Sequence, residues 1–315
     1  MAPSSKKQRG RDKKRQTSAA ASATASATAT ASASGSDNDY CSAIVTKDYT
    51  EGFPPSDFYQ RGVNFATEGK WENIKGLMKQ GAEAGCVPSM VHYGSTLTNE
   101  GIHNIHLVLP WALEAAIRGH TAVTLLLVTE CYRDAPLRPQ SLCIYWWEMV
   151  KNREDFLNHP YQIEDRKQFL EDGKEIKQGE CEKCHVCYRE DSEFVDLKTC
   201  DGCKIYSYCS RNCQTIHWED EDMKHKAECN QHKILMKYHK PYANEIQKAI
   251  KRGDDPKTIT SLQTLRNKLG LTRPREEYEE YLNLYHASSS ALDPRTLLIP
   301  RNNGTVYVGS SPETI

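Results

Sequence analysis

The sequence predicts a mainly α-helical chain that carries one small metal-stabilised module between an N-terminal helical half and a further set of helices. Three observations carry that expectation. Apolar residues recur at helical spacing in two runs, 65–83 and 110–127. Eight of the twelve cysteines fall between Cys181 and Cys229. Beyond them, helical spacing resumes at Ile234, Leu235, Tyr238, Tyr242, Ile246, Ala249 and Ile250. A length of 315 residues accommodates one or two compact domains, so the cysteine-rich stretch need not be the whole protein.

Composition narrows the class. A net charge of −1, with 38% hydrophobic and 26% charged residues, describes a soluble globular chain with some disorder, and offers nothing that calls for a nucleic-acid partner. The chain begins without the apolar stretch of a secretory signal, so the dense cysteines point to metal in a reducing compartment rather than to disulfides. An intracellular location, nuclear and/or cytoplasmic, follows as an expectation. No membrane span is expected either, because the most apolar window, 105–116, is broken by His106, Pro110 and Glu114.

Taken in order, residues 1–39 pair a basic run (Lys6, Lys7, Arg9, Arg11, Lys13, Lys14, Arg15) with an Ala/Ser/Thr tract. Neither has the large apolar residues that offset ordering entropy, so disorder is expected. The run suits a nuclear localisation signal or a solubilising tail. No Leu, Ile, Val or Phe precedes Ile44, which argues against a mitochondrial presequence. Order begins near Phe53-Pro54-Pro55, and 53–132 reads as one helical unit.

Within that unit Ile74, Leu77 and Met78 stand at i, i+3 and i+4, and Gly81 follows where a helix cap belongs. Ala66 with Gly69, and Ala116 with Gly119-His120, give two helix–glycine turn–helix layouts. These residues resemble degenerate ankyrin repeats, in which small alanines let paired helices approach and a Gly-His turn joins them. The resemblance is partial, since the two glycines stand 50 positions apart against a repeat of about 33, which makes 88–104 an insertion. Residues 133–180 follow as a helical cap or linker with an apolar face of Leu142, Tyr145, Trp146, Met149 and Val150. A helical extension over 230–290 includes Pro241, which should kink or restart its helix, and a second helical stretch over 276–285. Lys233, Lys237, Lys240, Lys248, Lys251 and Arg252 surround its apolar stripe as a solvated face or an acidic-partner surface. The tail 291–315 carries no signal of its own.

The cysteine-rich stretch, 181–229, has regular spacing: Cys184-x2-Cys187, twelve residues, Cys200-x2-Cys203, five residues, Cys209-x3-Cys213, eleven residues, His225-x3-Cys229. Eight thiolate or imidazole ligands fill two closed tetrahedral zinc sites and leave no open position for substrate, so the zincs are structural. An x2 pair holds one metal from a tight turn, whereas an x3 pair suits the first turn of a helix. Cys181 leaves open a slip of the first pair to Cys181 and Cys184, and His217 could compete with His225.

This pattern, with Tyr208-Cys209-Ser210, Cys213-Gln214, Trp218 and His225-Lys226-Ala227-Glu228-Cys229, resembles the MYND zinc finger family. A RING finger fits neither the order nor the spacing. The resemblance implies a cross-brace, with Cys184, Cys187, Cys209 and Cys213 on one zinc and Cys200, Cys203, His225 and Cys229 on the other. It also implies a binding cleft for short proline-containing peptides lined by Gln214 and Trp218, with Asp201 nearby. From Cys181 to Cys229 there are seven Lys/Arg against eleven Asp/Glu, a net of −4, and seven thiolates with two zincs bring it to −7. Phosphate backbones need a cationic surface, so nucleic acid is disfavoured and other proteins are the expected partners.

The expectation is therefore a non-enzymatic adaptor, with the finger and the ankyrin-like unit each engaging a partner protein, without a small-molecule substrate. Two other classes compete. A SET-type lysine methyltransferase would need an Asn-His-Ser-Cys-like motif after the finger, and only Asn158-His159-Pro160-Tyr161, before it, is superficially similar. A transcription regulator would contact DNA through the basic N-terminal run.

Overall fold

The computed structural model describes residues 50–100, 105–128, 139–153, 156, 163–192, 194–219 and 225–272. The expected tails 1–39 and 291–315, the helix over 276–285 and the Asn158-His159-Pro160-Tyr161 segment lie outside those residues. So does the side chain of Cys181.

The first helix pair is built as the sequence suggests. Ser56 caps α1 (Asp57–Thr67) by accepting a hydrogen bond from the Tyr59 amide, and Gly69, at φ +71°, turns the chain towards α2 (Ile74–Glu83). Gly81 is not the cap. It lies inside α2, where a Cβ would sit 2.2 Å from Ser89 Oγ, so its role is close approach to the next helix. The turn instead uses Gly85, at φ +94°.

That next helix, α3 (Val87–Asn99), takes up most of the described part of the expected insertion at 88–104 and packs into the core. Pro88 sits in its first turn, and Val87, Met90, Val91 and Leu97 are core residues. The sequence concealed this because α3 is buried on more than one side and shows little contrast between its faces. The following helix, α4 (Ile105–Ile117), is buried on every face from Val108 onwards and forms the centre of the molecule. Gly119, at φ +91°, then turns the chain into the short α5 (Thr121–Leu126). The α5 amides are capped from both sides: His120 Nδ1 accepts from Val123 N, and the Glu51 carboxylate accepts from Thr121 N and Ala122 N at 2.6 and 2.9 Å.

The C-terminal segment completes this core. Helix α6 (Gln140–Val150) and the long α7 (Ile163–Glu182) precede the cysteine-rich stretch, which holds a two-stranded antiparallel ribbon, β1 (Lys198–Thr199) with β2 (Ser207–Tyr208), and the helix α8 (Arg211–Glu219). Then α9 (His225–Ile234) passes through a π-helical turn, Leu235–His239, and breaks around Pro241 before α10 (Ala243–Arg252) and α11 (Thr260–Lys268). Leu235, Ile246, Ile250, Leu262 and Leu265 join Leu109, Leu113, Ile117 and Trp146 in one apolar cluster. A buried ion triad reinforces the junction, with Glu114 of α4 bonded to Arg118 of the same helix and to Arg266 of α11 at 3.0 Å. Burial pushes the Glu114 pKa up, but the two guanidiniums outweigh it and hold the carboxyl below its ordinary value. Among the described residues no helix is long and apolar enough to cross a membrane.

Candidate metal centres and the adjoining groove

Each ligand pair sits on the local structure its spacing suggests. Cys184–Cys187 and Cys200–Cys203 occupy tight turns, Cys213 lies in the first turn of α8 just after Cys209, and His225 and Cys229 stand one turn apart on α9. Folding collects them into two groups, Cys184, Cys187, Cys209, Cys213 and Cys200, Cys203, His225, Cys229, and within each group the ligand atoms all lie within 4.8 Å of one another. Pairs one and three share a site, and so do pairs two and four. That alternation is the expected cross-brace.

The donor set fits zinc. Zn–S bonds of about 2.3 Å in a tetrahedron put sulfurs about 3.8 Å apart. Cys187 and Cys209 sulfurs stand 3.4 Å apart, Cys209 and Cys213 3.7 Å, Cys200 and Cys229 3.9 Å, and Cys203 Sγ lies 3.6 Å from His225 Nε2. Gly202 shows how closely the second site is wrapped, because a Cβ there would meet Cys229 Sγ at 2.2 Å. Two structural zinc ions complete these sites. The sites differ in depth: all four ligands of the second are buried, whereas Cys187 of the first is exposed and Cys209 and Cys213 are less covered than Cys184.

Around the second site runs a hydrogen-bonded shell that sequence reasoning missed. His225 turns Nε2 towards the sulfurs, so its Nδ1–H donates to the Tyr208 hydroxyl at 3.0 Å, and that hydroxyl donates to His217 Nδ1 at 2.8 Å. His217 therefore belongs to the support of the site and not to the ligand set. Burial, aided by the nearby His225 and His185 rings, lowers its pKa to about 2 and keeps it a neutral acceptor. His185 stacks on it with ring centres 4.2 Å apart, so it is packed into the finger as well. The available signal was the tyrosine directly before Cys209, which the sequence reading used only as a resemblance.

A second connection ties the finger to the helical body. Glu228, beside Cys229, is buried and accepts from Ser141 N at 2.6 Å and from the Tyr206 hydroxyl at 2.9 Å, while that hydroxyl accepts from Gln140 N at 3.1 Å. Finger residues thus cap the N-terminus of α6, whose Pro139 cap residue makes no side-chain cap of its own. Ile144 of the same helix packs among the cysteines Cys184, Cys200 and Cys229.

Against the second metal site, whose Cys200 and Cys229 form part of its lining, lies an open groove of about 320 Å³, bordered by Asp201 and Gly202 on one side, by Arg211, Gln214, Thr215 and Trp218 of α8, and by Lys233 of α9. Gln214, Trp218 and Asp201, the three residues singled out beside the ligands, all border it. Trp218 is half-buried, with one edge against the His225 ring at 5.4 Å and its remaining surface available to the groove. Asp201 projects into solvent and pairs with Lys204 at 2.7 Å.

No curated protein and no solved structure matches the chain. The family model described as the MYND finger matches residues 181–229, the stretch that holds all eight ligands. With the alternating ligand pairs and two zinc-sized clusters, that match shows that the chain carries a MYND finger at residues 181–229.

Proposed function

We propose that this protein is a non-enzymatic adaptor whose finger holds a short, proline-containing peptide of a partner protein in the groove between α8 and the Cys200–Cys203 turn. The observation that supports this most is the coincidence of Gln214, Trp218 and Asp201 on one open groove while both metal sites are closed. The indole offers a flat apolar wall to a pyrrolidine ring, and the Gln214 amide stands four residues earlier on the same helix face, where it bonds the extended backbone. A proline-rich segment suits such a wall because it is already extended and loses little entropy on docking. The zincs then act as structure, fixing the two walls of the groove relative to each other. The helix pairs α1/α2 and α4/α5, ankyrin-like in their glycine turns, supply a surface for a second partner. A reducing intracellular compartment suits this run of thiols.

The test is a titration of the isotope-labelled, zinc-loaded chain with a proline-containing peptide selected from a random display library. The Trp218 indole and Gln214 side-chain amide resonances should shift first and furthest. Shifts confined to the α1–α3 surface, with the groove silent, would contradict the reading.

A further inference from the structure

Charge in the groove is arranged along its length. Helix α8 presents Arg211, Gln214, Thr215, Trp218 and Glu219 to it in that order, so Arg211 and Trp218 are separated by seven residues, or about 10 Å of helix. Glu219 stands at the tryptophan end, and Arg211 at the other. On the facing wall Lys233 lies close against the Cys200–Cys203 turn: a Cβ on Gly202 would come within 3.1 Å of its Nζ. Among the described residues neither Arg211 nor Lys233 forms an ion pair, while the acidic Asp201 is neutralised by Lys204. The groove therefore offers two cations without a carboxylate partner, Arg211 on α8 and Lys233 beside the Cys229 thiolate, although the finger as a whole is acidic.

Resting on the peptide-binding reading above, we infer that the groove selects an acidic peptide: a proline against Trp218 and an Asp or Glu about three residues away, held by Arg211 and Lys233. The register follows from length, since about 10 Å of helix matches three residues of extended chain at about 3.3 Å each. The carboxylate is recognised for two reasons. Arg211 supplies a planar fork that fits it bidentately, and Lys233 adds a second charge from the opposite wall. Glu219 beside Trp218 repels an acidic residue placed next to the proline, so the same charge pattern disfavours the wrong register.

Peptides selected from a random display library on the full-length, zinc-loaded chain test this directly. Selected sequences should share a proline with Asp or Glu three positions to one side, and calorimetry should show affinity falling at least tenfold when that acid becomes Lys. The Arg211→Glu/Lys233→Glu chain should reverse the preference. The milder Arg211→Gln/Lys233→Gln chain should abolish it, each variant retaining two zincs by elemental analysis. Prolines enriched without an acidic preference, and unaffected by either variant, would overturn this inference and leave the peptide reading standing. Enrichment without proline would overturn both.

Discussion

The Glu228 carboxylate accepts a hydrogen bond from the Ser141 amide at 2.6 Å, across 87 residues of sequence, and so joins a zinc-ligand helix to the first turn of α6. Glu228→Ala leaves that amide and the Tyr206 hydroxyl without their acceptor in a buried site, at about 1–3 kcal/mol each. Glu228→Gln keeps an oxygen there and should cost less, because burial already raises the carboxyl pKa and penalises its charge. Denaturant unfolding of both variants, with zinc counted, should rank wild type above Gln above Ala.

The same connection predicts what chelation does. Sequence alone gives the helical unit 53–132 its own apolar stripes and no metal, and on that ground it should keep its fold without zinc. Helix α6, however, is capped by Tyr206 and Glu228 and packs Ile144 against the ligands. Hydrogen exchange after chelation should show protection lost in 184–229 and in α6, and retained in α4.

Unequal depth predicts sequential metal loss. The Cys184/Cys187/Cys209/Cys213 site has an exposed thiol, whereas the other is fully buried. A colorimetric chelator should remove one zinc well before the second, and Cys187 should be the first of the zinc-ligand thiols alkylated.

Breaking the buried triad should be among the most damaging core changes. Glu114→Leu strands Arg118 in the interior and frees Arg266, at about 3–5 kcal/mol. Arg266→Gln, at the half-buried end, should cost less in the same unfolding assay.

Acid should weaken the fold through its buried histidines. His239, bonded to the Tyr145 hydroxyl at 2.7 Å, has its pKa lowered to about 4 by burial first, and His92 is lowered to about 4 in the same way. Their folded pKa values lie below the unfolded one of 6.5, so the unfolded chain binds more protons between about pH 6.5 and 4 and stability falls as pH falls through that window. Each contributes a slope of about 1.4 kcal/mol per pH unit at most. His239→Gln should reduce the measured slope between pH 6.5 and 5.5, where zinc can be verified as retained.

The legible parts of the molecule were those whose signal is local. Ligand spacing assigned the turn and helix pairs, and Gly69 and Gly119 marked their turns because only a glycine takes those positive φ values easily. Gly81 misled because close packing and capping favour the same residue, and α3 was hidden by burial on several sides. The links from Glu228 to Ser141 and from Arg266 to Glu114 join residues far apart in sequence, and no local pattern encodes such pairings. Tyr208 and His217 were visible as residue types, but their role exists only once His225 is placed between them and the sulfurs.

Whether the finger binds proteins through its groove is tested most directly by calorimetry on the full-length, zinc-loaded chain and its Gln214→Ala/Trp218→Ala variant, using a selected proline-containing peptide. The variant should keep two zincs and bind at least tenfold more weakly, on the order of 1.4 kcal/mol. Unchanged affinity with both zincs in place would contradict the groove. Loss of zinc from the variant would show instead that Trp218 serves the metal site through its contact with His225.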